Sequence, residues 1–129
     1  EVRRELMATY LVFKDPDNLL LTIAGASSGD PVAVGGITGV ALTDAGTDGK
    51  CVVRRKGVFE LAVEGVNMVE TEGWDYADVA VNVGDKLYYD AEVTQTIKIN
   101  KNDHSGIFFG YALEAIDSGA NNIIQVLLK

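Results

Sequence analysis

Apolar and polar positions alternate with a period of two over residues 58–64, where Phe59, Leu61 and Val63 interleave with Val58, Glu60, Ala62 and Glu64. Side chains point to opposite faces of a strand in turn, so this spacing predicts a strand with one buried face. Residues 93–100 read the same way, with Val93, Ile97 and Ile99 set against Thr94, Thr96, Lys98 and Asn100. Shorter apolar runs fall at 10–13, 19–24, 32–34, 39–42, 51–53, 107–113 and 123–128. Turn clusters separate them, among them Asp15-Pro16-Asp17-Asn18, Ser27-Ser28-Gly29-Asp30 and Asp117-Ser118-Gly119. In such clusters Gly supplies positive φ, and Asp or Ser bonds back to the local backbone. Many short strands at close spacing predict an all-β fold, a small antiparallel β-sandwich or barrel. Only residues 66–83 break the rhythm, and they predict a long loop or a short helical turn, the latter near Tyr76 to Val81.

Two stretches echo one another. Gly29-Asp30 opens an apolar run that leads to Gly39-Val40-Ala41-Leu42, and Gly84-Asp85 opens another that leads to Gly110-Tyr111-Ala112-Leu113. The Gly-Asp pairs are 55 positions apart and the Gly-x-Ala-Leu runs 71, so no fixed solenoid period exists. Either two related β units pack into one small barrel, or both stretches are similar hairpins built from Gly turns.

Length and charge narrow the functional classes. A chain of 129 residues fits one domain, here a β domain over 10–129 preceded by a charged arm at 1–9. With 11 Lys and Arg against 19 Asp and Glu, the net charge of −8 repels a phosphate backbone, so direct nucleic-acid binding is not expected. No signal-peptide pattern opens the sequence and no apolar stretch reaches the ~20 residues of a membrane helix, which predicts an unexported chain with no membrane partner. One cysteine, Cys51, lies within an apolar strand pattern and is expected to pack as a small hydrophobe.

Candidate chemistry is thin. His104 is the one histidine, in the polar run 100–105, and the simplest reading is a solvated turn without a catalytic role. Gly35-Gly36-Ile37-Thr38-Gly39 lacks the Lys of a phosphate loop and leads into a strand, so it reads as a turn. Asp15, Asp17 and Asn18, or Asp44 and Asp48, offer oxygen ligands without the full spacing of a calcium loop; no metal or cofactor is expected. Trp74 and Tyr76, two apart, suit a sugar-stacking groove or, more simply, core or interface packing. Tyr88-Tyr89 predict a strand with one ring inside. Ile123 to Leu128 carry apolar residues on both strand faces, which predicts a second buried surface through Ile123 and Leu127.

Several ordered landmarks then carry a resemblance: Ser28 to Gly35, Gly39 to Thr43, Gly57 to Leu61, Val83 to Asp90, and Gly110 to Ala115. In this order they resemble the DUF2190 family of small tailed-phage capsid cement, or head decoration, proteins, over about residues 8–128. The resemblance implies a β-rich, non-enzymatic protein on the outer capsid surface of the virion, synthesised in the host cytoplasm. Its implied partner is the major capsid protein, whose subunits it bridges as a homotrimer. Residues 66–79 are longer than usual for the family, and Glu1 to Leu6 precede the Met7 where such chains commonly begin. Candidate capsid or subunit contacts are Tyr10, Val12, Trp74, Tyr76, Ile123 and Leu127; the run 8–13 suits pairing with a sheet edge. A carbohydrate- or host-surface-binding β module is the alternative.

Overall fold

The computed structural model describes residues 18–70, 73–93 and 97–128. The described residues form strands β1 (Asn18–Thr22), β2 (Pro31–Val34), β3 (Ile37–Ala41), β4 (Lys50–Arg54), β5 (Gly57–Glu64), β6 (Val66–Glu70), β7 (Trp74–Asp78), β8 (Lys86–Tyr89), β9 (Ile99–Asn100), β10 (Ile107–Ala112) and β11 (Asn121–Leu128), and no helix. The fold is all-β. The first four strands make an antiparallel sheet in the order β1-β4-β3-β2, while β10-β11-β5-β9-β8 close into a barrel. Among the described residues only β5 and β9 pair in parallel, at Val63 and Ile99.

The alternation over 58–64 sets the barrel wall. Phe59 lies opposite Val126 and Leu61 opposite Ile124, so the inward residues of β5 and β11 meet in one register. They join Val63, Leu87, Ile99, Phe109 and Leu128 in the main apolar cluster. Each such side chain, fully buried, is worth roughly 1.5–3 kcal/mol. A second cluster inside the four-stranded sheet holds Ala26, Val32, Ala41, Cys51 and Val53, and the Cys51 thiol is buried there as a small apolar group.

Two expectations change. Residues 66–78 form neither a long loop nor a helical turn: β6 and β7 pair as a hairpin, from Val66 opposite Asp78 to Glu70 opposite Trp74. Backbone pairing, together with side-chain anchors on the barrel described below, supplies the order that the acidic, irregular sequence does not advertise. Nor do the described residues between Val93 and Asn100 make one continuous strand: Val93, Ile97 and Lys98 lie outside any strand, and Ile99 and Asn100 form β9. Val93 is buried outside any strand, where its carbonyl accepts the Lys98 ammonium at 2.6 Å.

The echoed stretches are built alike. Gly29 and Gly84 both take φ +92°, a left-handed conformation that glycine adopts without strain. The Gly29 N–H donates to the Ala41 carbonyl at 2.7 Å, and the Gly84 N–H to the Ala112 carbonyl at 2.7 Å. Ala41 and Ala112 donate in return to the Asp30 and Asp85 carbonyls, both at 2.9 Å. Each Asp carboxylate accepts the N–H three residues earlier, Ser27 for Asp30 and Asn82 for Asp85. The registers agree too. Val40 lies between Pro31 and Arg54 as Tyr111 lies between Lys86 and Leu127. Asn18 faces Arg54 as Val58 faces Leu127. Strands β1, β2, β3 and β4 therefore correspond to β5, β8, β10 and β11, in the same spatial order. The hairpin β6–β7 and the segment carrying the short β9 are what the second unit adds, and the latter, between Gly84 and Gly110, accounts for the unequal offsets.

Candidate functional site

The hairpin β6–β7 is anchored to the barrel by its aromatic residues. Trp74 and Tyr76 share one face of β7, as residues two apart on a strand must. The His104 imidazole lies flat on the indole of Trp74, ring centroids 3.7 Å apart and planes 13° from parallel. The Tyr76 hydroxyl donates to Asp90 Oδ2 at 2.6 Å. Both rings remain partly exposed, Trp74 at 44% and Tyr76 at 40%.

Asp90 is the centre of this anchor and is fully buried. Besides Tyr76, its Oδ2 accepts the side-chain amides of Asn100 at 3.1 Å and Asn102 at 2.9 Å, and Oδ1 accepts the Glu92 N–H at 3.1 Å. Burial opposes the charge, but these donors together outweigh it and hold the carboxyl below the usual carboxylate range. The same burial and the adjacent anion raise the Tyr76 hydroxyl well above its ordinary value, keeping it a donor. Asn102 then caps the turn that follows, its Oδ1 accepting the N–H groups of His104 and Ser105. Sequence reasoning passed over Asp90, Asn100 and Asn102 because polar residues in a polar run read as solvated. The spacing Asn100-x-Asn102, two amides two residues apart at the end of β9, is the signal that would have found them.

Beside the hairpin lies an open groove of about 550 Å³ lined by Glu64, Val66, Tyr76, Asp78, Glu92 and Val93. Glu64, Asp78 and Glu92 make its lining acidic. Asp44 and Asp48 serve turns instead, accepting the N–H groups of Ser28 and Lys50. Among the described residues no group of three or more His, Cys, Asp or Glu is placed to hold a metal ion.

A second surface is apolar. On β11, Ile124, Val126 and Leu128 point into the barrel, and Ile123 and Leu127 point out. Ile123 is 64% exposed, while Leu127 is half-buried between Tyr111 and Val58 on the neighbouring strands. Phe108 extends this row, meeting Tyr111 edge to face at 5.4 Å and Tyr88 at 6.1 Å. Tyr89 is the ring that turns toward the core, with Tyr88 outside. The structure thus separates the sequence candidates: Trp74 and Tyr76 sit on the hairpin, and Ile123 and Leu127 on the barrel's outer wall. Tyr10 and Val12 lie outside the described residues. Phe108, Tyr111 and Val58 escaped the sequence reading because which face of a strand points outward is fixed only when the sheet closes.

Comparison with curated proteins and with solved structures found no match. The family comparison did: the model of phage cement proteins matches residues 14–128, which include every described residue and both related β units. The chain belongs to the phage cement protein family.

Proposed function

We propose that the protein binds the outer surface of a phage head and stabilises the shell by bridging major capsid protein subunits, as a homotrimer on the particle. The observation that carries this reading is the family match over residues 14–128. The fold is consistent with it. A rigid all-β body loses little entropy on docking, and binding to the closed shell alone stabilises that shell by mass action. A net charge of −8 favours a position away from packaged DNA. On this reading the protein is synthesised in the host cytoplasm, joins the virion from outside, and does no chemistry: His104 is a packing partner of Trp74 and Cys51 a core residue.

The carbohydrate-binding alternative draws no support from the hairpin. One face of Trp74 is covered by His104, and the Tyr76 hydroxyl is committed to Asp90. Co-sedimentation with undecorated heads tests the main reading, with imaging of the decorated particles to count copies per site. Saturable binding at regular positions and DNA release at a higher temperature are expected. Failure to bind, or isolated copies at scattered positions, overturns it.

A further inference from the structure

Equivalent positions in the two β units have different surroundings. Val40, on the outer face of β3, is only 2% exposed and belongs to the barrel's apolar cluster with Phe109 and Leu128. The first unit therefore packs on the second through that face, near the start of β10, where Thr38 Oγ1 donates to the Phe108 carbonyl at 3.1 Å. Tyr111 holds the position in β10 that Val40 holds in β3, yet it is only half-buried. It belongs to one cross-strand row on the barrel's outer wall: Val58 opposite Leu127, Leu127 opposite Tyr111, and Tyr111 opposite Lys86. Val58 is 52% exposed, and Phe108, edge to face on Tyr111, is 37% exposed. The row is apolar in the middle and cationic at both ends. Lys86 closes it on β8, and Arg55 and Lys56 form the turn from β4 that leads into β5 just before Val58. Arg55 also lines, with Ile37, Ile107 and Phe108, a hollow of about 240 Å³. The next row, Glu60 opposite Gln125, is polar and bounds the strip. Lys98 and Lys101, by contrast, are engaged by the Val93 carbonyl and by Asp85.

We propose that this strip is the face that meets the phage head, and that it takes an apolar ridge of the shell protein edged by carboxylates. The proposal rests on the cement reading above and adds to it the docking face and the chemistry that the face selects. Charge complementarity argues for the occupant. Carboxylates on the partner are attracted to Lys86 and to the Arg55-Lys56 turn, and are repelled by the groove of Glu64, Asp78 and Glu92 beside the hairpin. In a chain of net charge −8, these two groups of charges set which way round the molecule docks. The hollow beside Phe108 offers apolar walls to one side chain of the ridge, and the planar guanidinium of Arg55 matches the geometry of an adjacent carboxylate. An exposed aromatic strip flanked by cations also suits a phosphate backbone, but the net charge of −8 opposes that partner.

Co-sedimentation with undecorated heads, over a range of protein and salt concentrations, tests it. Phe108→Glu, Arg55→Glu and Lys86→Glu should each weaken binding by about tenfold or more. Val69→Glu, a matching apolar-to-acid change at an exposed position on the hairpin, should leave it within about twofold. Raising salt should weaken binding of the parent, and that of Lys86→Glu less steeply, because one screened attraction is already gone. Circular dichroism checks each fold, and Lys86→Glu, at an exposed position, serves if Phe108→Glu does not fold. Folded face variants that bind like the parent, or parent binding that is indifferent to salt or strengthened by it, would overturn this proposal and leave the cement reading standing. A parent that does not bind heads at all would overturn both. Retention of the parent on single-stranded DNA, lost in Arg55→Glu, would assign the face to a phosphate backbone instead. Face variants that sediment as smaller free species than the parent would assign it to contacts between copies.

Discussion

Asp90 shows how a buried carboxylate is retained: three side-chain donors and one backbone N–H converge on it, and removing it orphans them together. Asp90→Ala should cost about 3 kcal/mol or more in urea unfolding, against about 1 kcal/mol for Tyr76→Phe, which loses one bond. The pH dependence has a definite sign. Because the folded carboxyl is held below its ordinary value, its stabilisation is complete above the unfolded value near 4 and is lost as pH falls through the lowered folded one. Asp85 adds in the same direction, through its hydrogen bond from Lys101 and that from the Asn82 N–H. Urea midpoints of the parent should therefore drop below about pH 4, and those of Asp90→Asn should drop less; superimposed acid profiles would refute this. His104→Ala should change the emission of Trp74, the one tryptophan, while far-ultraviolet circular dichroism stays unchanged. It should leave capsid binding within about 0.5 kcal/mol of the parent.

At the level of elements, the two units share a close approach that only glycine allows. A Cβ on Gly39 would meet the Arg54 carbonyl, and one on Gly110 the Leu127 carbonyl, each on the strand paired alongside. Gly39→Ala and Gly110→Ala should each destabilise by about 2–4 kcal/mol, as backbone overlap forces strands apart. Gly36→Ala, in open space at the β2–β3 turn and without positive φ, should stay within about 0.5 kcal/mol. Thermal melts of the three variants would decide; a tolerant Gly110 beside an intolerant Gly39 would contradict the equivalence of the units.

For the whole molecule, the described residues from 18 onward already form two apolar clusters, a four-stranded sheet and a closed barrel. Deleting residues 1–9 should leave a folded body, since Glu1 to Leu6, with four charged residues and two apolar ones, carry too little apolar surface to anchor a core strand. On the cement reading the truncated chain should bind heads more weakly, through loss of the β-forming run at 8–13. Circular dichroism reports the first outcome and co-sedimentation the second. Unfolding would make the arm a core strand, and unchanged binding would move the docking surface elsewhere, to the hairpin or the barrel wall.

Local pattern sufficed for β5, because Phe59, Leu61 and Val63 alternate within a single strand and need no partner to define a buried face. It sufficed equally for the glycine turns, for a buried Cys51 and for one inward ring of Tyr88-Tyr89. The ordered landmarks, each weak alone, were enough to point to the phage cement family. Tertiary structure alone decided the rest, since it depends on residues far apart in sequence. The hairpin at 66–78 is held by Asp90 and His104, and the burial of Asp90 by Asn100 and Asn102. The echo between Gly29 and Gly84 becomes a correspondence only through hydrogen bonds to Ala41 and Ala112, across insertions that destroy any sequence period. Whether Val40 or Tyr111 lies under cover depends on how sheet and barrel pack together, which a period-two pattern does not encode.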